Sequence, residues 1–378
     1  MVKRKNFKGI EEMKKIVVRQ NQLPTEIMST MGCRTQNGAD INAVDSYKNN
    51  IKQVIKDGTL YDDVTSAARK DSRGNISPVT IIMPTLAMQA KEKASDKQED
   101  VVPVFMKLLD KKINEARDML LERFDWQCSQ SAKSAKFMYE NGTMYGYKPE
   151  EGIRSALKHG TLAIGQLGLA ETLQILIGKD HTTKEGMQLA IEIETLFKEK
   201  CAKFKKDNKL NFGVYFSPSE NLCRTAMTKF KDKYGEIKNV SDHKFFTNSM
   251  HVPVWKKMTP FEKIDIESKL TGFSSAGCIT YVELDSNTIN NIDALEDLVN
   301  YAMDKDLPYF AINIDNSICI DCGYQSLEDF SECPKCHSTN TQCLKRVTGY
   351  LTGDYKTAFN EGKQQEAEMR VKHCGIEA

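Results

Sequence analysis

Apolar positions along the chain follow two rhythms. Phe105, Leu108, Leu109, Ile113, Ala116 and Leu120 recur at three- and four-residue spacing, which puts them on one face of a long helix. A second helix is expected to start near Thr182, where Thr182 and Glu185 have capping-box spacing, and to run to about Lys206. Between such stretches lie short continuous apolar runs. The run at 79–86, Val-Thr-Ile-Ile-Met-Pro-Thr-Leu, reads as a buried strand ending near Pro84. Further strands are expected at 211–217, 280–284 and 309–314. Charged residues from Lys91 to Asp100 read as a solvated connection. Residues 36–75 are polar, with turn formers at Asn37-Gly38, Asp57-Gly58 and Arg73-Gly74-Asn75, and read as a loop or insertion. Strands separated by long helical stretches predict an α/β sheet or barrel rather than a bundle. From about Ile318 the pattern changes to one dense in Cys, Gly and polar residues, as in a small appended module.

Composition narrows the class. A chain of 378 residues is long enough for two or three domains, or for one large α/β domain with an appendage. Its formal charge of +1 provides no basic stripe of the kind that binds nucleic acid. No apolar run is long enough to span a bilayer, and the basic start lacks the apolar stretch of a signal peptide. A soluble, cytoplasmic protein is expected. The eleven cysteines of such a chain point to metal binding or thiol chemistry rather than disulfides.

Four of those cysteines form two knuckles, Cys319-Ile-Asp-Cys322 and Cys333-Pro-Lys-Cys336, separated by ten residues. Two Cys-x-x-Cys pairs can bring four thiolates into a tetrahedron, which suits Zn²⁺ in a closed structural site. The alternative is four buried or redox-active thiols without metal. His337 is adjacent but not needed as a ligand, and Cys343 is left over as a free thiol.

Directly after this module comes Arg346-Val347-Thr348-Gly349-Tyr350. By itself a Gly-Tyr pair reads as a turn. Placed behind four cysteines near the C-terminus, it resembles the glycyl radical motif, and the whole arrangement resembles the anaerobic (class III) ribonucleotide reductases. A radical on a glycine α-carbon is delocalised over both flanking amides, and no side chain blocks planarity or the approach of another residue. Met31-Gly32-Cys33-Arg34-Thr35 is similar to the finger loop of the same family. So are the blocks at 73–80, 158–171, 247–253 and 277–284 to family blocks.

The resemblance implies a ten-stranded α/β barrel, here present in part over 1–317, with the finger loop near 31–35. A zinc module at 318–344 and a radical loop and tail at 345–378 would follow it. It implies that a separate radical-SAM activase removes a hydrogen atom from Gly349, and that the radical passes to Cys33, which abstracts the ribose 3′ hydrogen of a ribonucleoside triphosphate. Met31 resembles the methionine of formate-using members, which makes formate the expected reductant; otherwise it is a gap-filling core residue. Asn75 is a candidate to bind substrate hydroxyls, or else a turn former. His159 and His251 are expected to pack rather than to touch substrate, and Cys278 is expected in the core. The family's N-terminal half, with its regulatory and dimer elements and second active-site cysteine, has no counterpart here. A separately encoded N-terminal half is therefore an expected partner, with dimerisation through it. The competing readings are a non-catalytic radical and zinc domain that docks onto another enzyme, or an inactive fragment. Thr348 departs from the cysteine that many reductases carry there.

Overall fold

The computed structural model describes residues 29–31, 35–37, 40–43, 74–141, 143–144, 146–285, 291–345 and 354–373. Its centre is a parallel sheet of β3 (Asn75–Ile82), β4 (Thr161–Leu167) and β5 (Asn211–Tyr215), following a small antiparallel pair, β1 (Ser29–Met31) and β2 (Thr35–Asn37). Two further parallel strands, β6 (Thr280–Glu283) and β7 (Phe310–Asn313), extend the series. They join β5 through a parallel bridge between Tyr215 and Gly277, closed by the Phe216 N–H donating to the Gly277 carbonyl at 2.9 Å. The described residues thus supply five strands running the same way.

The longer helices are α1 (Met83–Lys97), α2 (Val101–Cys128), α3 (Leu169–Ile177), α4 (Lys184–Asn208), α5 (Leu222–Tyr234), α6 (Pro260–Thr271) and α7 (Ile292–Asp304). The C-terminal part adds an antiparallel sheet of β8 (Asn316–Cys319), β9 (Gln325–Ser326) and β10 (Thr341–Leu344), then α8 (Tyr355–Ala358) and α9 (Glu361–Met369). No helix among the described residues is long and apolar enough to cross a membrane.

Periodicity placed α2 correctly. Phe105, Leu109, Ile113, Ala116, Leu120 and Phe124 are buried along one stripe, and Asp100 caps its N-terminus by accepting from the Val102 N–H at 3.2 Å. Three expectations shift. The strand near 79–86 begins earlier, at Asn75, and ends at Ile82. Pro84 then opens α1, because a residue in the first helical turn needs no N–H partner. The charged stretch after Lys91 stays helical to Lys97, since Ala87, Ala90 and Ala94 bury a small-residue stripe while the charges face water. The cap of α4 is Thr183, which accepts from the Gly186 N–H at 3.1 Å; Thr182 instead donates to Asp180 Oδ1 at 2.6 Å. A true capping box forms at Thr259 and Glu262 ahead of α6. The other strands lie within a residue or two of expectation.

The two faces of the sheet differ. Leu162, Ile164, Phe212 and Val214 join the core formed with α2 and α4. Their neighbours on the opposite face are small: Ala163, Gly165 and Gly213. A side chain on Gly213 would meet Ala276 Cβ at 2.9 Å, and one on Gly165 the Tyr215 carbonyl at 2.8 Å. This face is strongly concave. Asn75 Nδ2 on β3 reaches the Ala276 carbonyl beside β5 at 3.0 Å, although three strand spacings of about 4.8 Å would separate their backbones in a flat sheet. Small residues are what such a curl leaves room for.

One buried pair on the helical face has a pH consequence. Gln166 Nε2 donates to Glu194 Oε1 at 2.8 Å, and both residues are fully buried. Burial pushes the Glu194 carboxyl up to about 8, against the lowering effect of Gln166. Below the ordinary carboxylate pKa of 4.5 both the folded and unfolded chains carry it protonated, and stability is intact. As pH rises from there through about 8, the unfolded chain ionises first and that stability is lost. Glu194→Gln should match the parent within about 1 kcal/mol near pH ~5 and exceed it by roughly 3–5 kcal/mol near pH ~8, measured by chemical denaturation.

Candidate active site and metal centre

The four knuckle cysteines converge. Their Sγ atoms all lie within 4.8 Å of one another, with Cys319 to Cys336 and Cys322 to Cys333 both at 3.6 Å. A tetrahedron with Zn–S bonds of about 2.3 Å has S···S edges of about 3.8 Å, so the spacing fits that ion. Each knuckle is built by its backbone. The Gly323 N–H donates to the Cys319 carbonyl and the His337 N–H to the Cys333 carbonyl, both at 2.9 Å, with Gly323 and His337 in the left-handed region. Burial raises the Cys333 thiol, but the backbone N–H groups of Cys336 and Lys335 outweigh it and hold it down at about 7, which favours a thiolate ligand. Cys343 is set apart: burial, and then the Asp329 carboxylate, push its thiol up to about 12, and it donates to Asp329 Oδ1 at 2.9 Å. His337 turns away to Glu332 at 3.0 Å. The donors fit a closed structural site of four sulfurs.

At the N-terminal ends of the parallel strands a second cluster forms. His159 Nδ1 meets Asp40 Oδ2 at 2.6 Å, and Asn211 Nδ2 donates to Asp40 Oδ1 at 2.9 Å. Asn211 Oδ1 accepts from the Ile41 N–H at 2.9 Å, so the segment after β2 is fastened to the starts of β4 and β5. His159 is thus the buried partner of Asp40. Asn75 begins β3 nearby; its Oδ1 is buried and has no partner among the described residues, which leaves an acceptor free on the concave side. Met31 ends β1 and pairs with Thr35 of β2. Cys33 and Gly349 lie outside the described residues.

At the opposite ends of the strands, two blocks singled out in the sequence bind each other. The Gly168 N–H donates to the Thr247 carbonyl at 3.1 Å, and the Thr247 N–H donates to Glu171 Oε1 at 2.7 Å. His251 Nδ1 faces Glu267 Oε1 at 3.2 Å, and Lys263 Nζ meets the same oxygen at 2.5 Å. Burial raises the Glu267 carboxyl, but Lys263 and His251 hold it well below the usual carboxylate range. His251 is buried beside Glu267 and lines a small cavity. Cys278 is fully buried in the core.

Helix α9 closes this end. Lys363, 2% exposed, pairs with Glu366 and donates to Asn248 Oδ1 at 3.1 Å. Arg370 meets Glu366 Oε1 at 3.2 Å and Glu283 Oε1 at 3.6 Å, while Asn313 Nδ2 donates to Glu283 Oε1 at 2.9 Å. A cavity of about 40 Å³ lies among these groups, lined by His251, Lys263, Tyr281, Glu283, Glu366 and Arg370. Lysine and arginine charges there are matched by glutamates. Sequence reading missed Asp40, Glu267, Glu366 and Arg370. The available signal was weak: charged residues at 363, 366 and 370, on one helical face, in a tail with few apolar residues.

A family model described as anaerobic ribonucleoside-triphosphate reductase matches residues 4–373. The chain belongs to that family. It is 31% identical over 315 residues to the anaerobic ribonucleoside-triphosphate reductase of Haemophilus influenzae, covering 80% of this chain and 43% of that protein. With the protein of the same name from Enterobacteria phage T4 the identity is 30% over 329 residues, 83% of this chain and 51% of the relative. Among solved structures it resembles an anaerobic ribonucleotide reductase with a TM-score of 0.65 at 20% identity, covering 81% of this chain and 46% of that one. The Thermotoga maritima enzyme with dATP bound in the specificity site gives a TM-score of 0.61 at 19% identity, over 84% of this chain and 52% of that one. At those identities the likeness establishes the fold alone. The chain spans about half the length of the curated relatives it matches.

The four-sulfur geometry makes a direct prediction. The isolated protein should carry stoichiometric zinc, measured by plasma mass spectrometry, and Cys322→Ser should lose most of it. Removing the metal with a chelator should melt the β8–β10 sheet while leaving the parallel sheet folded. Equal zinc in parent and variant would contradict the assignment.

Proposed function

We propose that this chain is the C-terminal catalytic part of an anaerobic ribonucleoside-triphosphate reductase, storing a radical on Gly349 and reacting through Cys33. The observation that carries the reading is the family match over 4–373, which takes in the finger-loop sequence, a four-thiolate cluster that fits zinc, and the Arg-Val-Thr-Gly-Tyr sequence directly behind it. The five parallel strands and their concave, small-residue face fit part of a ten-stranded barrel. The N-terminal half of the reductase supplies the remaining strands, and dimerisation runs through it.

In this reading a radical-SAM activase removes one hydrogen atom from the Gly349 α-carbon. The glycyl radical takes a hydrogen atom from the Cys33 thiol, and the resulting thiyl abstracts the ribose 3′ hydrogen of a ribonucleoside triphosphate. Formate supplies the two electrons: formate, a proton and the ribonucleotide become carbon dioxide, water and the deoxyribonucleotide. Asn75 holds a substrate hydroxyl with its Oδ1, a buried acceptor without a partner among the described residues. Met31, two residues before Cys33 in the sequence, is the residue that makes formate the reductant in this reading. Zinc, when bound, fixes the knuckles that precede the radical loop and takes no part in electron transfer. A closed barrel keeps the radical from water and oxygen, which a half sheet with open edges cannot do.

Two results test this. The chain alone should make no deoxyribonucleotide, and activity should appear on mixing with the N-terminal half and activase under anaerobic conditions. In that mixture Cys33→Ser should keep the radical yet lose turnover by a factor of at least about 10³. Full activity of the chain alone, or of the Cys33→Ser variant, would contradict the proposal.

A further inference from the structure

The orientation of the Asn75 side chain is decided far along the chain. A carboxamide can turn either its donor or its acceptor towards a neighbour. The Ala276 carbonyl, 3.0 Å away, only accepts, so the group turned to it is the Nδ2 amide. Oδ1 is then the atom left over, buried and without a partner among the described residues. An aspartate at this position would set a carboxylate against the carbonyl.

The Ala276 carbonyl is itself fixed by a turn between α6 and β6. Ser274 and Ala276 are both buried. The Val214 carbonyl of β5 accepts from the Ser275 N–H at 3.1 Å, the Ala276 N–H at 2.9 Å and the Ser274 hydroxyl at 3.0 Å. Ser275 Oγ accepts from the Val214 N–H at 3.1 Å. Ser274 Oγ accepts from the Gly277 N–H, also at 3.1 Å. That last N–H belongs to the same planar peptide unit as the Ala276 carbonyl. One end of the unit is therefore held by Ser274 and the other by Asn75. Gly213 leaves the space that the turn fills, since a side chain there would meet Ala276 Cβ and Ser275 Oγ.

We propose that Ser274 is a positioning residue for Asn75. Its Oγ fixes the Ala276–Gly277 peptide, the Ala276 carbonyl takes the Asn75 amide, and Oδ1 is thereby held as the acceptor for a ribose hydroxyl. The inference rests on the substrate role given to Asn75 above and adds a residue outside the family blocks read in the sequence. Ser274 touches no substrate; it acts through one peptide group. Without its oxygen the buried Gly277 N–H loses its acceptor and the peptide tilts to find another. Asn75 is then free to turn over and offer a donor where the hydroxyl needs an acceptor.

Two readouts test this in Ser274→Ala. The first uses the full chain alone, labelled with ¹⁵N-asparagine. The Asn75 side-chain amide signal is assigned by its loss in Asn75→Asp, and its exchange with deuterium is followed by NMR. In Ser274→Ala that exchange should be faster by about tenfold or more, while the backbone amides of Asn211 and Asn313 hold steady. The second readout uses the activated mixture with the N-terminal half. Ser274→Ala should lower kcat/KM for a ribonucleoside triphosphate about tenfold. The inhibition constant of the matching 2′,3′-dideoxy triphosphate, which offers neither hydroxyl, should stay within about twofold.

Unchanged Asn75 exchange would overturn the proposal, as would faster exchange with a parental kcat/KM. An equal loss for the ribonucleotide and the dideoxy compound would overturn it too, because that is damage to the whole site. If Ser274→Ala does not fold, Ser275→Ala decides by the same readouts, since it releases the same turn from the Val214 N–H. An active parent whose Asn75 amide exchanges rapidly sinks this inference alone. A parent with slow exchange whose complete mixture makes no deoxyribonucleotide sinks the proposed function, and the substrate role of Ser274 with it.

Discussion

A charged side chain removed from water must find a partner, and the C-terminal part of this protein is organised around that requirement. Lys363 and Glu366 project from a helix with little apolar surface of its own, with Arg370 just past its end, yet the two are buried and the Arg370 side chain is only 10% exposed. The cost of desolvating each is several kcal/mol and is offset only by close, well-directed partners. Beyond the pairs these three make with one another, partners sit on other elements: Asn248 in a loop, Glu283 at the end of β6, and Asn313 at the end of β7 through Glu283. Burial raises the Glu366 carboxyl, and the facing Lys363 and Arg370 more than reverse it, down to about 2. The tail is therefore joined to the sheet by polar complementarity, which fixes orientation more sharply than an apolar contact would. An interface of this kind suits a segment whose chemistry depends on where one glycine is held.

The sheet imposes the complementary constraint. β4 and β5 are buried along their whole length, as parallel strands covered on both faces must be. One face receives α2 and α4. The other is lined by Ala163, Gly165 and Gly213 and is curled enough for Asn75 to reach Ala276. A concave surface of small residues gives room for an inserted loop and excludes bulky side chains from it. Asp40 and Ile41, shortly after β2, are pinned to the strand starts through His159 and Asn211.

Much of this was legible in the sequence, for identifiable reasons. Helix α2 announces itself because its apolar stripe is long and regular. The cysteine knuckles do so because metal ligation demands a fixed spacing. Pro84 misled, since the same residue that ends a strand also opens a helix, and only the buried Ala87, Ala90 and Ala94 show which. Thr182 and Thr183 are equally good caps on paper; the choice fell to Thr183 because Asp180 takes the Thr182 hydroxyl. Asp40 could not be singled out at all. It works through partners far away in sequence, and one charged residue in a polar stretch carries no local mark of burial. The carboxylates that hold His159 and His251 were not readable from the sequence.

The central claim is that Gly349 stores an unpaired electron. The most direct measurement is an anaerobic EPR spectrum of the chain with its N-terminal half, a radical-SAM activase, S-adenosylmethionine and reductant, on protein grown with unlabelled or α-¹³C-labelled glycine. The account predicts a doublet that broadens with the label and vanishes in Gly349→Ala. A signal that ignores the label, or that survives in Gly349→Ala, would contradict it.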